Sequence, residues 1–166
     1  GEEELAGIDA RPLVGHLAAW SYFQSVDNPD NKAFVAKWRA YAKNPKRVTN
    51  DPMESAYILF NMWVQAVQQA GSTNVDAVRQ AMTGQKVKSP SGFEVAMGSN
   101  HHMAKPVMIG EIQADGQFSI VYQSKAMPPK AWSPYVEANA GRIADWAWPW
   151  VCGGCTTPKY AATVPQ

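Results

Sequence analysis

Residues 50–71 read NDPMESAYILFNMWVQAVQQAG, and the fold class turns on this stretch. Asp51-Pro52-Met53-Glu54 combines an acidic N-cap, a proline at the first helical position and a glutamate at the third. Gly71 stands where the left-handed residue that closes a helix belongs. Between these signals Ala56, Phe60, Trp63, Val67 and Ala70 recur at helical spacing and line one face, which Tyr57, Ile58, Leu59 and Val64 widen. A helix this apolar is expected to be covered on more than one side.

Two further helices flank it. Upstream, Asn28 followed by Pro29 is an N-cap with proline at the first helical position. Phe34, Val35, Trp38, Tyr41 and Ala42 then share a face, and Asn44-Pro45 is the expected stop. Downstream, NVDAVRQAM over 74–82 reads as a short third helix with Gly84 beyond it. Outside this helical block the period changes. Residues 12–23, PLVGHLAAWSYF, suggest a buried strand running into a connection, and the opening residues run into that strand pattern. FEVAM over 93–97 is a short strand. PVMIGEI and QFSIVYQ flank Ala114-Asp115-Gly116, a hairpin signal. From Met127 onward prolines and tryptophans alternate without a period, with room for one short helix around 136–145. Strand, three helices and late strands make the chain α/β. One early strand and a late hairpin do not close a sheet by themselves, which suggests part of a larger fold.

Composition narrows the function. The 166 residues are 46% apolar and only 17% charged, below the roughly 25% of an average soluble domain. Net charge is +1, and the Lys43, Lys46, Arg47 cluster reads as a loop, so the basic footprint of a nucleic-acid binder is missing. No run of 18 apolar residues is present. The opening GEEELAGID looks like neither a signal peptide nor a clean domain start. There is no G-x-S-x-G, no H-E-x-x-H and no glycine-rich phosphate loop.

Four features tempt a functional reading. Cys152 and Cys155, the two cysteines of the chain, form a C-x-x-C in WPWVCGGCTTPKY. A redox dithiol needs a helix N-terminus after a strand, and a structural zinc needs about four ligands, with His16, His101 and His102 the remaining soft partners. The loop context leaves a local disulfide or two unpaired thiols. Adjacent His101 and His102 point opposite ways in an extended segment and read as loop histidines. Glu2, Glu3 and Glu4 form an acidic run suited to a solvated face or a helix first turn. Trp20, Ser21, Tyr22 and Phe23 are either core or the wall of a ligand cleft.

Four long segments carry a resemblance: GHLAAWSYFQSVDNPDNKAFVAKWRAY, NDPMESAYILFNMWVQAVQQAGSTNVDAVRQAM, NHHMAKPVMIGEIQADGQF and WPWVCGGCTTPKY. Together they resemble the C-terminal part of the urea-binding components of ABC transporters, within the type I periplasmic binding proteins that also include short-chain amide sensors and branched-chain amino-acid binders. The resemblance covers nearly the whole chain. It implies two three-layer α/β/α lobes joined by three crossovers, with the ligand between them, and an N-terminal half outside these residues. Residues 1–19 would end the second lobe, 20–28 would be a hinge crossover and 29–84 would be helices of the first lobe. Residues 85–126 would return to the second lobe and hinge, and 127–166 would form an irregular tail. The implied protein is exported, binds urea or a small amide without a cofactor, performs no catalysis and delivers its ligand to a membrane permease. Glu2 or Glu3 would accept from ligand N–H groups, Tyr22 and Phe23 would wall the pocket, and Cys152–Cys155 would be a structural disulfide. An amide or amino-acid sensor of the same fold is an alternative. A small redox or metal protein using Cys152, Cys155 and His101 is another, from a different class.

Overall fold

The computed structural model describes residues 1–130; the expected helix around 136–145 and the Cys152–Cys155 pair lie outside the described residues. Eleven elements follow one another: α1 (Glu2–Leu5), a 3-10 turn (Arg11–Leu13), β1 (Leu17–Trp20), α2 (Pro29–Tyr41), α3 (Asp51–Ala70), α4 (Val75–Met82), β2 (Lys86–Lys88), β3 (Glu94–Met97), β4 (Met103–Ala104), β5 (Met108–Ile112) and β6 (Phe118–Gln123). They build two small antiparallel sheets, ordered β1-β5-β6 and β2-β3-β4.

The first sheet rests on an apolar cluster of Leu5, Ala10, Phe23, Met108, Ile112 and Phe118. Its hairpin forms as its turn residues require: Ile112 pairs with Phe118, and Gly116 at φ 74° supplies the left-handed corner. The rings of Phe23 and Phe118 pack at a 37° tilt with centroids 4.6 Å apart. Gly110 makes this possible, because a Cβ there would sit 2.9 Å from the Phe118 ring and 3.0 Å from Phe23. The second sheet packs under α3 through Ile58, Met62, Val95 and Met97, and α4 joins α3 through Ala66, Val78 and Ala81.

Helix boundaries follow local capping chemistry. Asn28 Oδ1 accepts from Asn31 N at 2.8 Å, as the sequence indicates. Asn74 caps α4 in the same way, and Gly71, at φ 60°, closes α3. The cap of α3 is Asn50 rather than Asp51: its Oδ1 accepts from Met53 N at 2.9 Å, so Pro52 becomes the second helical residue. Helix α2 stops at Tyr41, ahead of Asn44-Pro45, because Lys43 turns left-handed at φ 49°.

Other expectations are corrected. The opening residues form a helical turn with Glu2, Glu3 and Glu4 in it, where carboxylates favour the dipole, and not a strand. The strand expected over 12–23 shrinks to Leu17–Trp20, because Pro12 enters the 3-10 turn and Gly15, at φ 85°, redirects the chain. Among the described residues it pairs with β5 alone, and Leu17 and Trp20 are exposed rather than buried. The buried stripe of α3 is Glu54, Ile58, Met62 and Ala66, and the expected core positions Ala56, Phe60 and Trp63 are exposed. The stripe is set by what lies beneath it: Val95 and Met97 on one level and a lysine partner for Glu54 on another. On α2, Asn31 and Val35 are buried while Tyr41 is exposed. Strands β2 and β4 carry no sequence signal, being three residues of Lys-Val-Lys and two of Met-Ala.

Candidate functional site

The segment between β1 and α2 is the most densely bonded connection among the described residues. Tyr22 Oη donates to Asn31 Oδ1 at 2.8 Å and shares a 2.6 Å hydrogen bond with Thr49 Oγ1. Asn31 Nδ2 donates to the carbonyls of Gln24 and Val26, each at 2.7 Å, and Gln24 Oε1 accepts from Thr49 N at 2.9 Å. On the other side, Ser25 N and Oγ donate to Glu2 Oε1 at 2.9 and 2.8 Å, and Ser25 Oγ accepts from Phe118 N at 2.9 Å. Residues 22–26 are thus held to α2 by Asn31 and to α1 and β6 through Ser25.

Glu2 and Phe23 reach this region from opposite chemistries. Glu2 is buried; its Oε1 serves Ser25, while its Oε2 has no hydrogen-bond partner among the described residues. Glu3 faces outward, where its carboxylate accepts from Asn50 Nδ2 and ties α1 to the cap of α3. Tyr22 is buried with its ring edge-on to Phe34, 6.3 Å between centroids. Burial raises the Tyr22 phenol pKa; the Thr49 hydrogen bond opposes this, and the negative charges of Glu54 and Glu2 add smaller increases. Phe23 lies within the apolar cluster against Phe118.

An open cleft of about 400 Å³ lies beside this segment, lined by Gln24, Ser25, Asn31, Lys32, Arg39 and Gln117 among others. Ser25 connects the cleft to buried Glu2, whereas Glu2, Glu3, Tyr22 and Phe23 are not themselves in its lining. Ser25, Gln24, Asn31 and Gln117 are not among the candidate site residues singled out from the sequence. Asn31 had a readable signal, an amide three residues after an N-cap on the inner side of a helix. Gln117 had none, since its role comes from meeting Gln24 and Ser25 across more than 90 residues of sequence. The lining mixes amides and a hydroxyl with the charged Asp27, Lys32 and Arg39 and the apolar Val26, Val35 and Ala36, a set that can orient a polar ligand. His101 and His102 are exposed in a loop, and among the described residues no group of three or more His, Cys, Asp or Glu can hold a metal ion.

A second buried carboxylate lies on α3. Glu54 Oε1 accepts from Ser91 N at 2.9 Å and from Ser91 Oγ, and its Oε2 accepts from Lys105 Nζ at 2.8 Å. Lys105 also reaches Asp51 at 3.0 Å and Ser55 Oγ at 3.2 Å. This cluster ties α3 to the turn before β3 and to the connection between β4 and β5.

A profile of the periplasmic binding protein domain matches residues 1–138, and the chain belongs to that family. Its fold is that of the type I periplasmic binding proteins. The solute-binding protein of an ABC transporter from Rhodopseudomonas palustris HaA2, solved with p-hydroxybenzoic acid, is 27% identical with a TM-score of 0.61, over 70% of this chain and 33% of its own. An amino acid ABC transporter substrate-binding protein from Pseudomonas fluorescens Pf-5 is 22% identical with a TM-score of 0.61, over 77% and 35%. A protein named limonene hydroxylase from Geobacillus stearothermophilus is 34% identical over 123 residues, 74% of this chain and 22% of its own. The chain therefore spans about a third of the solved structures it matches and less of that relative. No helix among the described residues is long and apolar enough to cross a membrane.

Proposed function

We propose that this chain is the C-terminal part of the solute-binding component of an ABC importer, working outside the cytoplasm, and that its solute is urea or a related small amide. Family membership across residues 1–138 carries the transport reading. The long segments that resemble urea-binding components favour the ligand. A neutral, planar ligand rich in N–H groups calls for acceptors in a dry site. The idle Oε2 of buried Glu2 is such an acceptor, and its charge makes the hydrogen bond it offers a strong one. In this reading Glu2 accepts from the amide, Glu3 anchors the same turn to Asn50, and the buried Tyr22 and Phe23 back the pocket wall from behind without lining the cleft. Closure of two lobes on the ligand, with residues 20–28 as one hinge crossover, presents the loaded form to a membrane permease.

A second reading comes from the solved relatives, which include an amino-acid transporter component and a hydroxybenzoate complex. Hydroxybenzoate carries a carboxylate, which a site built around an unpaired glutamate disfavours, whereas an amino acid also carries an ammonium group that such a glutamate would hold, so the titration has to separate the two.

Calorimetric titration of the whole protein with urea, acetamide, leucine and 4-hydroxybenzoate tests the assignment. Saturable heat with urea or acetamide is expected. In Glu2→Gln that affinity should fall about 10- to 100-fold, the worth of a hydrogen bond to a charged group. Binding of leucine or 4-hydroxybenzoate without urea or acetamide would move the protein to the second reading. Stoichiometric zinc or iron held by Cys152 and Cys155 would replace both.

A further inference from the structure

Charge is unevenly placed along this chain. Residues 31–50 hold six of its 15 basic side chains and none of its 14 acidic ones, so the remaining residues sum to −5. The net charge of +1 hides this segregation. Lys32 is paired with Asp27 at 2.6 Å. The other five cations, Lys37, Arg39, Lys43, Lys46 and Arg47, form no ion pair among the described residues.

These five gather on one corner, the last turns of α2 and the loop behind it. Asn44 N donates to Arg39 O at 3.2 Å and Lys46 N to Asn44 Oδ1 at 2.9 Å, which folds the loop back on the helix. Arg39 Nε donates to Arg47 O and Trp38 Nε1 to Val48 O, each at 3.0 Å. Trp38 carries the Arg47 guanidinium 5.9 Å from its ring centroid and stacks with Tyr41 at 6.1 Å. Tyr41 is 83% exposed, and Lys37 lies one turn before it on the same side of α2. Lys37, Lys43, Lys46 and Arg47 are exposed as well. Compensation of the α2 dipole accounts for a cation or two at this end of the helix, not for five beside an exposed ring.

Four exposed cations beside an amphipathic ring match an anionic lipid surface. Lys and Arg are drawn to anionic headgroups, and a tyrosine rests its apolar body and polar tip at headgroup level. A protein partner is matched less well: three of the four are Lys, which protein interfaces disfavour relative to Arg. The opposite sign of the remaining residues turns this corner, rather than another, toward a negative surface. No helix among the described residues can cross the bilayer, so the contact is superficial and reversible. We propose that the corner formed by Lys37, Tyr41, Lys43, Lys46 and Arg47 docks on the anionic headgroups of a lipid membrane, holding the protein against the bilayer that carries its permease. The inference rests on the extracytoplasmic placement proposed above and not on which solute is bound.

Flotation of the full-length binding protein with lipid vesicles tests it, with phosphatidylglycerol mixed into phosphatidylcholine against phosphatidylcholine alone. Expected is partition to the anionic vesicles only, lost as salt rises. In Lys43→Gln, Lys46→Gln the partition should fall about 10- to 30-fold, at roughly fivefold per cation. The control pair Lys86→Gln, Lys88→Gln removes two exposed cations that face Glu94 and Asp30, and should leave it nearly unchanged. Unchanged thermal unfolding of both double variants confirms that they fold. No partition, equal partition to uncharged vesicles or equal loss in the two double variants would overturn the proposal. Displacement by inorganic phosphate at matched ionic strength would assign the corner to a free anion instead. Capture by permease in phosphatidylcholine alone, abolished by Lys43→Gln, Lys46→Gln, would assign it to an acidic protein face. Anionic-vesicle binding by a protein that takes neither urea nor acetamide would sink the ligand assignment and leave this inference standing.

Discussion

Glu2 and Glu54 are 1% and 0% exposed, and the sequence offers little to tell them apart. Their surroundings differ completely. Glu54 has both oxygens engaged, by Ser91 on one side and Lys105 on the other, with Asp51 sharing the lysine. Glu2 has one oxygen engaged by Ser25 and the other idle, with no cation beside it among the described residues. A buried charge with both oxygens answered is compensated for its desolvation and becomes costly only when a partner is removed. A buried charge with an idle oxygen costs stability and persists where something outside the described contacts uses it.

The largest effect should come from taking the partner away from Glu54. Lys105→Met leaves a buried carboxylate facing an apolar side chain, with only Ser91 to stabilise it. A loss of about 3–5 kcal/mol is expected, the usual cost of removing one partner of a buried pair. Guanidinium chloride unfolding measures it; urea is to be avoided as denaturant for a proposed urea binder. The double variant Glu54→Leu, Lys105→Met should recover much of the loss, since no orphaned charge remains. If the single variant unfolds like wild type, the clamp reading of Glu54 fails.

Next in size is Gly110→Ala. The added methyl would meet Phe118 and Phe23 within 3.0 Å, in the apolar cluster under the first sheet. Overpacking of this kind costs about 1–3 kcal/mol. Phe118→Leu in the same background should relieve part of it, which thermal unfolding of the pair can measure.

Tyr22→Phe removes a hydroxyl shared by Asn31 and Thr49, at an expected cost of about 1–2 kcal/mol. It also has a pH signature. Burial raises the Tyr22 pKa in the folded protein, so above about pH 10 the unfolded chain loses this proton while the folded chain keeps it. The unfolded state then binds fewer protons, and stability falls as pH rises past 10. The variant should lack that part of the alkaline decline, so the two stability curves should converge with rising pH. Parallel curves would mean that Tyr22 ionises normally.

Local chemistry was legible in the sequence and long-range contact was not. Proline and asparagine at 28–29, glycine at 71 and the Ala114-Asp115-Gly116 turn each act over a few residues, and each fell where its own sterics or hydrogen bonds put it. Asn50 displaced Asp51 as a cap because two competent side chains stood side by side, and propensity does not rank them. The core face of α3 was misread for a different reason. Both faces are apolar, so periodicity finds two stripes, and Phe60 and Trp63 outweigh Ile58 and Met62 by size alone. Only the placement of Val95, Met97 and Lys105, more than 30 residues downstream, selects the buried one. The site shows the same division. Glu2, Tyr22 and Phe23 stood out by type, whereas Ser25 and Gln117 become meaningful only once the chain brings them together.

The smallest effect on stability should come from Glu2→Gln, and that smallness is what the comparison stands on. The glutamine carbonyl can still accept from Ser25 N and Oγ, so the bonds that hold residues 22–26 to α1 survive. The amide nitrogen takes the place of an oxygen that already had no partner, and the desolvated charge is gone. These changes oppose one another, and the net should stay within about 1 kcal/mol. A loss as large as that of Lys105→Met would mean that Oε2 has a partner outside the described residues, and Glu2 would join Glu54 as a clamp. A near-neutral change accompanied by lost amide binding would mean that a carboxylate was kept buried at a cost to stability because a ligand uses its idle oxygen.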